Sequence, residues 1–193
     1  MENVNYNILS LIGPTACGKT SLAVKISLKY GCEIISGDSR QVFRGMDIGT
    51  GKDLDEYRTP SGNVPCHLID IAAPGEEYSL YRYLDDFNTA LKCVKSRGRI
   101  PLLTGGSGLY IEAALKGFSL PETPCDALLR AILEEKPTDE LETLLRSESP
   151  EVYSRTDRSS RRRIIRGIEI ARSMNEPETV KNAVYPELRP LII

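Results

Sequence analysis

A chain of 193 residues, 40% of them hydrophobic, can bury one sizeable core and carry a small appendage, which excludes two large domains. Its net charge of −2 excludes indiscriminate binding of polyanions, so any nucleic-acid contact has to come from a local patch. Single cysteines at 17, 32, 66, 93 and 125 and one histidine argue against a zinc site or a disulfide framework, and no run reaches membrane-spanning length. A reducing cytoplasmic compartment and no membrane or protein partner are therefore expected.

The apolar run Ile8-Leu9-Ser10-Leu11-Ile12 reads as a buried strand, and Gly13-Pro14-Thr15-Ala16-Cys17-Gly18-Lys19-Thr20 follows it. Every fixed position of the phosphate-loop pattern is filled in this stretch. Gly13 and Gly18 allow the backbone to turn its N–H groups inward at a phosphate, and the helix that starts near Lys19 adds its positive end. Lys19 would supply a mobile cation, and the Thr20 hydroxyl is placed to bind a magnesium ion that bridges phosphate oxygens. A diphosphate or triphosphate is the expected ligand, although the loop alone does not tell ATP from another polyphosphate.

Leu22, Ala23, Ile26 and Tyr30 recur at helical spacing, and Gly31 is placed to end that helix. Cys32 to Ser36 is a second buried strand, so the chain opens as a parallel α/β sheet. Ligands gather at the carboxyl ends of such strands, where Gly37-Asp38-Ser39-Arg40-Gln41 falls. Asp38 is a candidate base or metal-associated carboxylate, and equally a helix N-cap.

From Arg44 to Gly62 the sequence predicts a long surface loop, in which Lys52 either reaches an anionic ligand or is solvated. Val64 to Ile71 is expected to be a further strand; Cys66 and His67 are adjacent in it and would point to opposite faces, which argues against a metal pair. Ser79 is placed to cap a packing helix that runs to about Arg97, with Leu80, Leu84, Phe87, Leu91 and Val94 on one face. Ile100 to Thr104 is the next buried strand. Gly105-Gly106-Ser107-Gly108 then turns into a helix from Leu109 to Lys116, bringing N–H groups and the Ser107 hydroxyl to the phosphate-loop edge.

Prolines at 121, 124, 137 and 150 punctuate two short helices, Asp126 to Lys136 and Asp139 to Ser147, read as an insertion or lid. Arg155 to Arg172 is dense in arginine, with Ile164, Ile165, Ile168 and Ala171 as the apolar stripe of a helix and Arg162 and Arg166 on another face. Such a helix either contacts an anion or nucleic acid, or is a solvated helix that complements its own C-terminal dipole. Leu188 to Ile193 is expected to return to the sheet as a strand. The expected organisation is an α/β core over residues 1–117, a helical insertion over 118–157, and a return helix and strand over 158–193.

Taken together, residues 13–20, 34–52, 67–71, 105–110 and 161–169 resemble the tRNA dimethylallyltransferases, also called tRNA isopentenyltransferases. The resemblance implies a parallel sheet related to P-loop kinases with a helical insertion that embraces the anticodon stem-loop. It implies magnesium-dependent transfer of a dimethylallyl group from dimethylallyl diphosphate to N6 of an adenosine beside the anticodon of tRNA. The loop residues Gly13, Pro14, Thr15, Ala16, Cys17, Gly18, Lys19 and Thr20 would hold the diphosphate, with Thr20 on the metal. Asp38, Lys19, Thr15 and Ser107 would be catalytic, and Asp38, Ser39, Arg40, Gln41, Ser107, Arg130, Arg162, Arg163 and Arg166 would contact tRNA. The family usually has threonine where Ser107 stands, alanine or valine at Gly37 and serine at Cys17, and its members ordinarily continue beyond the position of Ile193. Other functions compatible with the residues are a small-molecule kinase, a prenyltransferase of free adenine nucleotides, and an inactive RNA- or nucleotide-binding remnant. The final strand is expected to expose an edge and to favour self-association.

Overall fold

A computed structural model of the protein describes residues 5–14, 16–118, 126–174 and 186–193. The chain divides into two compact units, residues 1–118 with 185–193, and residues 119–184.

In the first unit, strands β1 (Ile8–Ile12), β2 (Cys32–Ser36), β5 (Cys66–His67), β6 (Ile100–Gly105) and β7 (Pro190–Ile192) form one parallel sheet in the order β5-β2-β6-β1-β7. Apart from β2 and β5, strands consecutive in this sheet are not neighbours, so their connections cross its faces. Helix α1 (Lys19–Tyr30) covers one face and shares a core with Leu11, Cys32, Ile34 and Leu102. Helices α2 (Leu80–Ser96) and α3 (Gly108–Lys116) bury Tyr83, Leu84, Phe87, Leu91, Tyr110 and Ile111. With both faces covered, β2 and most of β6 are buried residue after residue, not in alternation. Ser79 caps α2 as expected, its hydroxyl accepting from the Arg82 N–H.

Three expectations need correction. The buried face of α1 is Ala23, Val24 and Ser27, while Leu22 and Tyr30 are exposed; small residues let the helix lie close to the sheet, and the larger ones are turned to its flank. The strand expected over residues 64–71 pairs with β2 only at Cys66 and His67, because Leu68 and Asp70 take positive φ of 64° and 56° and cannot extend a ladder. The long loop from Arg44 contains a 3₁₀ turn, Leu54–Tyr57, that buries Tyr57 in the core, followed by a hairpin of β3 (Arg58–Thr59) and β4 (Gly62–Asn63).

The second unit holds α4 (Ala127–Glu134), α5 (Thr138–Glu148), α6 (Pro150–Arg155) and α7 (Arg161–Met174). Ile164, Ile165, Ile168 and Ala171 of α7 pack on Leu133, Leu141 and Leu145. The arginine-rich helix therefore belongs with the helices before it, not with the unit that holds the sheet. The expected boundary at 157/158 falls inside this unit, since the apolar stripe of α7 is what α4 and α5 need to close their own core.

Glu169, the one acid of α7, is buried between two cations: Arg130 forks onto it at 2.6 and 3.1 Å and Arg166 donates at 2.9 Å. Burial alone would push its carboxyl up, but the two guanidiniums outweigh that and hold it below the usual glutamate range. A depressed carboxyl contributes stability above its unfolded pKa and loses it as pH falls through the folded value. Helix melting is thus expected to occur at lower temperature below about pH 4. Glu169→Gln should flatten that acid limb and destabilise the protein by about 2 kcal/mol at neutral pH, less than a fully enclosed pair would lose, because both arginines reach water. Circular dichroism melts from pH 6 to pH 3 on both proteins check this.

Candidate functional site

The phosphate loop leaves β1 at Gly13 and enters α1 through Gly18, whose φ of 83° is left-handed, as is that of Ala16 at 62°. Among the described residues no side chain caps α1, which leaves the N–H groups of its first turn facing a ligand site. The Lys19 ammonium is hydrogen-bonded to the Pro14 carbonyl and lies 3.7 Å from Cys17 Sγ. Thr20, half-buried, is the second residue of α1 and offers a neutral oxygen beside the loop. Thr15 lies outside the described residues.

At the neighbouring strand ends β2 and β6 are laced together. The Gly37 N–H donates to Thr104 O at 2.7 Å and the Ser107 N–H to Gly37 O at 3.2 Å. A Cβ on Gly105 would stand 2.4 Å from both the carbonyl carbon and oxygen of Gly37, so only glycine permits this approach. The Ser107 hydroxyl accepts from the Ser39 N–H at 2.9 Å and donates to Ser39 Oγ at 3.1 Å. It therefore does not cap α3, and it ties the α3 turn to the segment that carries Asp38.

Asp38 is half-buried, and its Oδ1 accepts from the Arg40 N–H at 2.9 Å. Residues 39–42 form a turn and no helix begins there, so the carboxylate stabilises an Asx-type turn instead of capping a helix. Gln41 is turned inward: its Oε1 accepts from Ser36 Oγ and its Nε2 donates to Gly51 O, both at 2.9 Å. Ser39 is half-buried and Arg40 is exposed beside it.

Lys52 is neither solvated nor free to reach a ligand. Its side chain is 1% exposed and its ammonium binds Asp70 at 2.5 Å, Asp47 at 3.0 Å and Phe43 O at 2.5 Å. Burial would lower its pKa, but the two carboxylates outweigh this and keep it raised. Sequence reasoning also passed over Arg44, which donates to Asp70 O and Ile71 O, and Tyr110. Tyr110 sits one turn along α3 from Ser107 with its ring 4.3 Å from that of Tyr83. Burial and the Asp38 charge both push its phenol up, so it belongs to the neighbourhood of the carboxylate. Its sequence signals were its spacing of three from Ser107 and its place at the end of the stretch 105–110.

His67 meets Glu33 at 2.9 Å, and Arg97 donates to the same buried carboxylate. That cluster occupies the histidine ring in a hydrogen bond to an internal carboxylate. Among the described residues no group of His, Cys, Asp and Glu is arranged to hold a metal, and no helix is long and apolar enough to cross a membrane.

In the helical unit most arginines of the expected cationic face are engaged internally. Arg161 donates to the carbonyls of Leu133, Glu134 and Lys136 and so closes the end of α4. Arg172 pairs with Glu148, Arg163 with Asp157, and Arg130 and Arg166 with Glu169. Arg162 is exposed on α7 and Arg163 is exposed beside it.

The IPP transferase family model matches residues 41–190, and the isopentenyl transferase model matches residues 6–59. A tRNA dimethylallyltransferase 1 of Porphyromonas gingivalis is 46% identical over 96% of the chain, and a tRNA dimethylallyltransferase 2 of Pelobacter propionicus is 48% identical over 97%. The chain spans 61% and 58% of those two relatives. Among solved structures, the full-length tRNA isopentenylpyrophosphate transferase of Bacillus halodurans is 35% identical, with a TM-score of 0.56 over 87% of this chain and 56% of its own. A eukaryotic dimethylallyltransferase acting on tRNA shares the fold, with a TM-score of 0.72 at 22% identity over 97% of this chain and 48% of its own.

Proposed function

This chain belongs to the IPP transferase family, and we propose that its residues carry transfer of a dimethylallyl group from dimethylallyl diphosphate to N6 of an adenosine beside the anticodon of tRNA. The observation that carries the reading is the joining of a phosphate loop to a carboxylate turn. Gly13 to Thr20 lies at the end of β1 and Asp38 at the end of β2, with β6 between them bringing Ser107 to Ser39. A kinase needs the loop; it has no need of this turn.

In the reaction, the bond from the allylic carbon to the diphosphate oxygen breaks as the bond from adenine N6 to that carbon forms. The amine proton passes to Asp38, whose Oδ1 is occupied by the Arg40 N–H, leaving Oδ2 to receive it. The leaving diphosphate is held by the N–H groups of the loop and α1, and Lys19 swings from the Pro14 carbonyl to its oxygens. Magnesium fits the donor chemistry here, with Thr20 giving one neutral oxygen and phosphate and water the rest, and it would neutralise charge on the departing diphosphate. Ser107 and Ser39 keep the carboxylate turn against α3. The adenosine has to leave its stack to reach this pocket.

Arg162, Arg163, Arg130 and Arg166 of the helical unit are the tRNA-facing cations of this reading, and Arg162 is the most direct of them. Arg162→Ala should weaken tRNA binding roughly tenfold and lower the salt dependence by about one counterion, with unchanged binding of dimethylallyl diphosphate; filter binding over a salt series checks it.

The decisive experiment incubates the protein with labelled dimethylallyl diphosphate, magnesium and unmodified tRNA, with free AMP in parallel, followed by nucleoside analysis. Label on an anticodon-loop adenosine supports the reading. Label on AMP alone moves the substrate to a free nucleotide, and binding of the diphosphate without transfer reduces the chain to a ligand-binding unit.

A further inference from the structure

Asp70 is the hub of the segment that follows Asp38. Its N–H donates to Gln41 O at 3.0 Å, its carbonyl accepts from Arg44 Nε at 3.0 Å, and its carboxylate binds the Lys52 ammonium at 2.5 Å. Lys52 in turn donates to Phe43 O, so residues 41, 43 and 44 are all tied to one aspartate. Beside these contacts, the N–H groups of Ile71 and Ala72 donate to Val42 O at 2.8 and 2.9 Å. The other end of the loop is fixed by Gln41 Nε2 on Gly51 O and by Thr50 Oγ1 on Met46 O.

An ammonium has three N–H groups, and here each finds one oxygen: Asp70, Asp47 and Phe43 O. Taking such a cation out of water is costly unless all its donors are met, and the 1% exposure of Lys52 shows that the cost is borne in a loop. None of its polar partners lies in the sheet, in α1, or in the phosphate loop. Its hydrogen bonds serve the course of the chain immediately after Asp38.

We propose that Lys52 is a positioning residue for the transfer, its buried ammonium holding the segment after Asp38 in the course that presents that carboxylate to the adenine amine. The inference rests on the prenyl-transfer reading above. Lys52→Met keeps the stem length and removes the cation, leaving Asp47 and Asp70 facing each other unpaired. Asp70→Asn is the milder second variant, since it keeps the volume and the cation and weakens only the tie.

The test measures amide hydrogen exchange, kcat, and KM for dimethylallyl diphosphate, with a pH profile, on both variants and the unaltered chain. Expected is faster exchange over residues 38–44 with β1 and β6 unchanged. In Lys52→Met kcat falls roughly 10- to 100-fold, a misplacement effect, KM for the diphosphate stays within about twofold, and the acid limb of the pH profile keeps its midpoint at a lower plateau. Asp70→Asn shows the same pattern, smaller. Unchanged kcat despite faster exchange overturns the inference, and so does loss of protection in the strands in step with kcat, which marks a plain stability role. Absence of transfer by the unaltered chain, whatever the exchange result, overturns the reading beneath it and this inference with it.

Discussion

Replacing Asp38 with alanine is expected to lower prenyl transfer by about 10²- to 10⁴-fold, the usual worth of a positioned general base, and to leave KM for dimethylallyl diphosphate near its original value. In the proposed reaction the carboxylate has two separable duties. Oδ1 holds the turn through the Arg40 N–H, while Oδ2 would take the proton. Asp38→Asn keeps an acceptor for the turn and removes the base, so it should lose nearly as much kcat as alanine with little change in melting temperature. Single-turnover assays on both variants, with diphosphate affinity measured separately, decide between the duties. If asparagine transfers like the unaltered protein, Asp38 shapes the turn and another group receives the proton.

Gly105→Ala is expected to cost about 3–5 kcal/mol, at the upper end for a single methyl group, or to prevent recovery of folded protein. The new methyl would stand 2.4 Å from the Gly37 carbonyl carbon and oxygen and 2.8 Å from its Cα, and these are backbone atoms with no rotamer to escape through. Relief requires prising β2 from β6 where Gly37 N–H meets Thr104 O, at the strand end that presents Asp38. The reciprocal change is milder. A methyl on Gly37 would meet Ile111 Cγ1 at 2.9 Å and Leu103 Cδ1 at 3.2 Å, buried side chains that must shift but are not backbone, so Gly37→Ala should cost about 1–3 kcal/mol. Urea denaturation of the two variants checks the contrast; equal midpoints would show that the strand ends are not in the contact described.

What could be read from the sequence was what neighbours along the chain decide. The apolar runs of β1, β2 and β6, the glycine turns after them and the loop from Gly13 to Thr20 are local signals, and the parallel sheet follows from them. The surroundings of the charges were not legible. Lys52 looks like any loop lysine until Asp70, eighteen positions away, folds over it. Arg130 and Glu169 are separated by 39 positions, so nothing in spacing reveals that the arginine-rich helix spends cations on its own unit. Gln41 was expected to contact tRNA; both ends of its amide are held by Ser36 and Gly51, which makes it a brace for the turn, and no local signal reveals that. The strand expected through His67 failed for a local reason that composition hides: Leu68 and Asp70 are left-handed without being glycine.

The parallel course of β1 and β7 sets where the chain leaves the sheet. Ile193 follows β7, accepts from the Ile12 N–H at 3.2 Å, and so leaves the sheet one residue from Gly13. Chain that continues past Ile193 therefore starts beside the phosphate loop, where acidic side chains would repel the diphosphate of the proposed reaction. The Asn7 N–H, bound to Arg189 O at 3.1 Å, marks the opposite edge, about 16 Å away along the strand.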